Sequence, residues 1–272
     1  MVPFAAGQKE PQVRAAQARV IKLKQPARRR RRQEPESRDN FMEKVIVFDL
    51  GGTLMRYEGM PHSWISYYQG AFEAVRDRYG LPLREEDIVR SVEILREYNP
   101  RYKPREVEYP SEFLFGEATR HWNAAVPLPD IIDTFFEGIH LTARLYEDTA
   151  PTLTRLKEQG WRVAALTNLP SSMPDRLFRK DIPELLDRLD LYVSSETCGY
   201  RKPNPAGLLS IARHYGAELS RLIFVGDEKL DIGTAKNAGC RSVLICREPQ
   251  PETFGEDDRI EGLDGLFSLD LM

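Results

Sequence analysis

Two hydrophobic patterns alternate along this chain: short runs of consecutive apolar residues, and longer stretches in which apolar positions recur every three or four residues. The first reads as buried strand, the second as helix with one face toward a core. "VIVF" at 45–48 is a run of the first kind, and it ends on Asp49 and the turn-forming "LGGT". The period then changes. "SWISYYQGAFEAVRDRYG" sets Ile65, Tyr68, Phe72 and Val75 at helical steps and closes on Gly80, and "REEDIVRSVEILREY" repeats the pattern with Ile88, Val92 and Leu95 behind acids suited to a helix N-terminus. A loop punctuated by Pro100, Pro104 and Pro110 leads to two further helical stretches, expected near 111–124 and 129–145.

From Pro151 onward helix and strand take turns. "PTLTRLKEQG" predicts a helix and "WRVAALTN" a strand, "LDLYVSSE" holds another strand, "NPAGLLSIARHYG" is a helix, "LIFVGD" a strand, "DIGTAKNAG" a helix and "CRSVLIC" a strand. The closing "EGLDGLFSLDLM" reads as a short helix against the sheet. Such alternation predicts an α/β fold: a Rossmann-like parallel sheet with helices on both faces. The expected organisation is a basic extension over 1–42, an α/β core made of 43–58 and 145–272, and an all-helical insertion over 59–144.

Charge separates the extension from the rest. The chain carries 39 Lys and Arg against 42 Asp and Glu, but residues 1–41 hold eleven of the bases and only four of the acids, so they are +7 and the remainder is 28 minus 38, or −10. The extension is polar, poor in aromatics, and contains five consecutive arginines, Arg28 to Arg32, so it reads as disordered. The acidic remainder argues against general nucleic-acid binding. No apolar run reaches the length of a membrane span and no apolar signal core opens the chain, so neither a span nor a secretory signal is expected and no clear membrane partner is indicated, although the arginine run could anchor to nucleic acid or anionic lipid. Cys198, Cys240 and Cys246 are too few and wrongly spaced for a disulfide framework or a zinc site, which fits reduced thiols in the cytoplasm.

Three predicted strands end in polar residues: Asp49, Thr167 with Asn168, and Asp227. In parallel sheets ligands lie at the carboxyl ends of the strands, so these residues are expected to share a crevice. Lys202, in "GYRKPNP", precedes a helix and can bring a positive charge there. Carboxylates facing each other across a crevice repel, and a hard divalent cation relieves that repulsion; a cation plus a lysine suits a phosphate group.

At this point the residues resemble the haloacid dehalogenase superfamily, in its branch with a helical cap inserted after the first motif. "DLGGTL", "ALTN", "GYRKPNP" and "GDEKLDIGTAKNAG" look like the four family motifs and stand in family order. The resemblance implies that Asp49 is the nucleophile of an aspartyl-phosphate route, with Lys202 and Thr167 as catalytic partners. Thr167, Asn168, Lys202, Gly52 and Thr53 would bind the substrate. Mg²⁺ would be held by Asp49, the main-chain carbonyl of Gly51 and Asp227, and supported from behind by Asp231 and Glu228. The implied partner is a small phosphorylated metabolite; oligomeric state is left open.

One residue departs from the family. Where its phosphatases usually carry a second aspartate, which protonates the leaving oxygen and later activates water, this chain has Gly51. Its carbonyl remains for metal binding, but the proton donor is missing. Three outcomes stand: a substrate with a good leaving group; replacement of the donor by Glu58, His62 or a water; or a phosphoenzyme that turns over slowly. Two alternatives follow. One is a 2-haloacid dehalogenase, though that branch typically has tyrosine at this position and no need of Asp227 and Asp231; the other is a phosphate-metabolite binding or regulatory protein of low activity. The aromatics of the insertion, among them Trp64, Tyr67, Tyr68 and Tyr102, read mainly as core, with Arg101 beside them.

Overall fold

The computed structural model describes residues 21–22, 43–59, 64–139 and 141–271. The disorder expected over 1–42 falls outside these residues, except that β1 (Ile21–Lys22) pairs antiparallel with the edge of the main sheet at Tyr192 and Leu191. That sheet has seven strands in the order β1-β6-β5-β2-β7-β8-β9. Its centre is β2 (Val45–Phe48), flanked in parallel by β5 (Arg162–Thr167) and β7 (Leu222–Gly226), with β6 (Leu191–Ser194), β8 (Arg241–Ile245) and β9 (Asp258–Ile260) outside them.

Both faces of the sheet are covered, and the period-two geometry of strands divides its side chains between them. Ile46, Phe48, Val163, Ala165, Ile223 and Val225 join one apolar cluster. Val45, Val47, Ala164, Leu166, Leu222 and Phe224 join the other. All four residues of β2 are buried, which explains why its sequence is a continuous apolar run rather than an alternating one. The second cluster is closed by α9 (Ala206–Tyr215) and α10 (Lys229–Ala238); α5 (Thr149–Glu158) lies on the first. Two elements, α6 (Asp175–Asp181) and α7 (Pro183–Leu186), follow β5, and the one-turn α8 (Ser195–Cys198) follows β6.

The helical insertion leaves and re-enters the core through a short antiparallel ribbon, β3 (Met55–Tyr57) against β4 (Ala143–Leu145). Its helices are α1 (Ile65–Tyr79), α2 (Glu85–Glu97), α3 (Ser111–Thr119) with a 3₁₀ turn over Arg120–Trp122, and α4 (Leu128–Glu137). The helix expected over 129–145 stops at Glu137, because the chain turns at Gly138 and enters β4. The closing segment is a 3₁₀ helix, Leu263–Ser268, preceded by β9, which the sequence pattern did not reveal. Phe72 makes edge contacts with Phe115, Trp122 and Phe135 at 6.1, 5.4 and 4.7 Å, so the aromatics here are chiefly core. Trp122 Nε1 donates to Ser91 Oγ at 2.8 Å, so its polar edge is satisfied inside that core. Tyr102 is the exception, half exposed under the Arg96 guanidinium. Among the described residues, no helix is long and apolar enough to cross a membrane.

Candidate active site

The parallel register fixes where the polar strand ends meet. Phe48 stands opposite Ala165 and Val225, so Asp49 emerges between β5 and β7, level with Leu166 and Gly226, and Thr167 and Asp227 each lie one residue further on. The chain leaves β2 to one side for β5 and β6 and later returns to the other for β7 and β8, so this is also the point where the winding reverses.

Lys202 ties the acids together. Its Nζ donates to Asp49 Oδ1 at 2.6 Å and to Asp231 Oδ1 at 2.5 Å, and all three side chains are buried. Asp231 accepts the Glu228 amide at 2.9 Å through its other oxygen, which anchors the start of α10. Asp227 accepts from Thr53 Oγ1 at 3.1 Å. Asp49, Asp227 and Asp231 each place a carboxylate oxygen within 4.8 Å of the others, which is the spacing of a metal cradle.

Two glycines make that crowding possible. Gly52 has φ +80°, and a Cβ on it would lie 2.1 Å from Asp227 Oδ2. A Cβ on Gly226, the last residue of β7, would lie 2.3 Å from Asp231 Cγ. Gly51 differs from both: it is exposed, bridges Met55, and an added Cβ would meet nothing within 4 Å.

Three acids around one lysine give a charge surplus, and the proton equilibria show it. Burial lifts the Asp49 carboxyl to about 7 against the pull of Lys202, and the Asp231 charge adds to the rise. Asp227 is raised to about 8, first by burial and then by Asp49, Asp231 and Glu228. Burial alone would depress the Lys202 ammonium, but Asp231 and Asp49 outweigh it and hold the lysine above its ordinary value.

The remaining expected residues sit as follows. Thr167 is buried at the end of β5, and its hydroxyl makes no hydrogen bond among the described residues. Asn168 holds the lysine loop, accepting the Lys202 amide at 2.8 Å and donating to the Lys202 carbonyl at 3.4 Å. The Gly52 amide is used by the Met55 carbonyl at 2.8 Å and the Thr53 hydroxyl by Asp227, so their polar groups build the loop rather than stand open to a ligand. The exposed Glu228 carboxylate turns outward to Arg101 of the helical insertion at 3.8 Å. Glu58 pairs with Arg144 at 3.2 Å on the surface, and His62 lies outside the described residues.

Two groups of residues that sequence reasoning missed hold this site from behind. Arg247 donates to the Thr53 carbonyl at 2.6 and 3.1 Å, grips Asp148 with two nitrogens and lies 3.6 Å over the Tyr146 ring, so it clamps the loop that follows Asp49. The second group is centred on Glu108, a buried carboxylate carried by the insertion. It accepts from Arg105 Nη1 at 2.9 Å, from Ser195 Oγ at 2.6 Å and from Arg201, which is itself buried next to Lys202. Arg201 in turn donates to the Leu169 carbonyl at 2.9 Å, and Ser195 Oγ accepts the Leu169 amide at 3.0 Å. The backbone adds a bridge between Val107 and Tyr200, with the Glu108 amide donating to Gly199 and the Arg201 amide to Glu106. Glu108 stands in a proline-rich, charged stretch that gives it no local signal.

A parallel sheet with helices on both faces, a crevice at its switch point and a helical insertion behind its first central strand defines a Rossmann-like α/β fold. The chain belongs to the haloacid dehalogenase-like hydrolase family, whose profile matches residues 43–239. It is 31% identical over 215 residues to the phosphoglycolate phosphatase of Vibrio parahaemolyticus, covering 73% of this chain and 82% of that protein. The phosphoglycolate phosphatase of Aliivibrio fischeri is 34% identical over 117 residues, a match that covers 41% of this chain and spans only about half, 48%, of that relative. The fold is shared with the 2-haloacid dehalogenase of Pseudomonas syringae, at TM-score 0.58 and 22% identity over 84% of this chain and 97% of that one. It is also shared with a phosphatase of Thermococcus onnurineus, at TM-score 0.55 and 19% identity over 83% and 96%.

Proposed function

We propose that this chain is a Mg²⁺-dependent phosphoric monoester hydrolase acting on a small phosphorylated metabolite in the cytoplasm, with residues 59–144 as a cap over a core formed by 43–58 and 145–272. The observation that carries the reading is the convergence of the Asp49, Asp227 and Asp231 carboxylates, two of them held by the buried Lys202. That acidic cluster suits a cation with a phosphate better than attack on carbon, and relatives more than 30% identical are named phosphoglycolate phosphatases, which makes a phosphorylated small acid the first substrate to try.

The donor set fits a hard dication. Three carboxylates against one ammonium leave two negative charges to balance when all are ionised, and burial first, then mutual repulsion, raises Asp49 and Asp227. Asp49, Asp227 and the Gly51 carbonyl would hold Mg²⁺, which supplies charge neutralisation between nucleophile and phosphoryl oxygens when bound. Asp231 is engaged by Lys202 and the Glu228 amide, so it acts behind the metal ligands rather than among them.

The protein's own groups do the rest. Lys202 keeps one oxygen of Asp49 in place and draws its charge away from the other acids. Asp49 attacks phosphorus as the bond to the leaving oxygen breaks, giving an aspartyl phosphate; water then attacks phosphorus, frees Asp49 and releases phosphate. The unpartnered Thr167 hydroxyl offers a donor to a phosphoryl oxygen, while Asn168 fixes the lysine loop. Gly51 provides no proton, so substrates with good leaving groups are favoured.

Rapid-quench kinetics on the full chain tests this, using Mg²⁺ with phosphoglycolate and with an aryl phosphate. A Mg²⁺-dependent burst that disappears in Asp49→Asn is the expected result. No burst and no turnover, with halide released from a 2-haloacid instead, would overturn it in favour of attack on carbon.

A further inference from the structure

A second cavity, of about 760 Å³, lies wholly within the helical insertion, between α2, the 103–109 loop and the end of α3. Of its lining residues only Arg105 connects to the candidate active site, through Glu108 behind it, and its volume is in the range of sites for small organic ligands. One part of its wall is apolar and aromatic: Ile94, Tyr98, Pro104 and Tyr109. Tyr98 and Tyr109 meet edge to face with ring centres 5.9 Å apart, and the Arg105 guanidinium lies 4.5 Å over the Tyr109 ring.

The rest of the wall is basic. Arg90, Lys103, Arg105, Arg120 and His121 face two acids only, Glu97 and Glu117, and those are already paired with Lys103 and Arg120. Arg90 has no hydrogen bond or ion pair among the described residues. Arg105 shares Glu108 with Arg201, so one carboxylate serves two guanidiniums. The lining therefore has positive charge that the protein does not balance.

Unmet hydrogen bonding points the same way. Two buried side-chain atoms of residues lining this cavity, Arg105 Nη2 and His121 Nδ1, lack a hydrogen-bond partner among the described residues. Native proteins leave few such atoms unpaired, and each calls for a partner. His121 Nε2 donates to the Asp87 carbonyl at 2.9 Å, which leaves Nδ1 open to a polar group of a ligand.

We propose that this cavity is a binding site for an organic anion with a flat apolar body, of the nucleoside monophosphate kind. The tyrosine and isoleucine wall takes the body, and Arg90 with Arg105 takes the anionic group. Neither a bare inorganic anion nor a neutral aromatic uses both halves of the wall.

Calorimetric titration of the full chain without Mg²⁺ tests the site, with AMP and naphthalenesulfonate as probes. Arg90 is exposed and unpaired, so Arg90→Glu leaves the fold intact, which circular dichroism verifies. The expected result is one saturable site for at least one probe, unchanged in Asp49→Asn, weakened at least about tenfold in Arg90→Glu, and at least about tenfold weaker for inorganic phosphate. Absence of saturation by both probes up to about 10 mM, a concentration that only the weakest specific sites exceed, overturns the proposal. So does affinity untouched by Arg90→Glu, or binding lost in Asp49→Asn, which would place the ligand in the catalytic crevice. The outcome does not depend on whether the chain hydrolyses phosphate esters.

Discussion

Replacing Gly51 with aspartate should raise, rather than lower, the activity of this protein. Gly51 is exposed, its φ lies outside the left-handed region, and an added Cβ meets nothing within 4 Å, so the backbone accepts a side chain there without displacement. Its neighbour Gly52 has no such freedom, since a Cβ there runs into Asp227 at 2.1 Å. The stability change from Gly51→Asp should accordingly stay within about 1 kcal/mol, the scale of an unstrained glycine replacement. The catalytic change should be larger: a positioned general acid contributes about 10²–10⁴-fold, which corresponds to about 3–5 kcal/mol of barrier at 1.36 kcal/mol per decade. That gain applies only where the leaving oxygen needs a proton. The informative assay is therefore kcat/KM on an alkyl phosphate and on a nitrophenyl phosphate, in wild type and variant, with urea unfolding as a control. The expected outcome is an increase of two or more decades for the alkyl ester and about one decade or less for the activated ester. An equal change on both substrates, or a loss on both with stability intact, would refute the assignment of Gly51 as the site of a missing proton donor.

Other outcomes follow from the same geometry. Glu108→Ala strands Arg105 and Arg201 without their shared carboxylate and should cost about 3–5 kcal/mol; hydrogen exchange at Leu169, Arg201 and Lys202 should quicken, whereas Glu108→Gln should retain most of the protection. In metal-free protein, Asp49 at about 7 and Asp227 at about 8 keep protons that an unfolded chain has already lost at about 4, so stability should fall as pH rises through this window. Thermal unfolding between those limits should show that decline, and Mg²⁺ should reverse it most strongly at the alkaline end. Among the thiols, Cys198 and Cys240 are buried, with Cys240 pushed up to about 12 by burial, while Cys246 is partly exposed. Brief maleimide treatment of the native protein should therefore label Cys246 alone, with all three labelled after unfolding.

The elements readable from the sequence were those in which a long apolar run terminates in a polar residue. Asp49, Thr167 and Asp227 were found because a strand buried on both faces admits no polar side chain until it ends, so the first one marks the rim of the sheet. Lys202 and Asp231 followed from the motif they belong to. The β3–β4 ribbon was not readable, since three residues of Met-Arg-Tyr carry too little period, and the helix expected over 129–145 ran through it for that reason. Glu108, Arg201, Arg247 and Asp148 escaped for a different cause. A charged residue in a loop ordinarily faces water, and burial of a carboxylate between two arginines depends on segments about ninety residues apart in the chain, which no local pattern encodes.

The attachment of the cap bears on how a substrate arrives. A lid joined to its base by one ribbon can swing like a flap and expose the whole crevice. This one is joined at β3–β4 and again, on separate chain segments, where residues 106–108 lie along 199–201. Further contacts tie it to the core, Tyr68 to the Ser171 carbonyl and Asp133 to Arg176, so any opening would be restricted rather than a free swing. The side that can part is the one spanned by the exposed contact between Arg101 and Glu228, whose charges are the first a ligand would meet. In the proposed hydrolase that gap would screen a ligand by shape and charge before it reached Asp49.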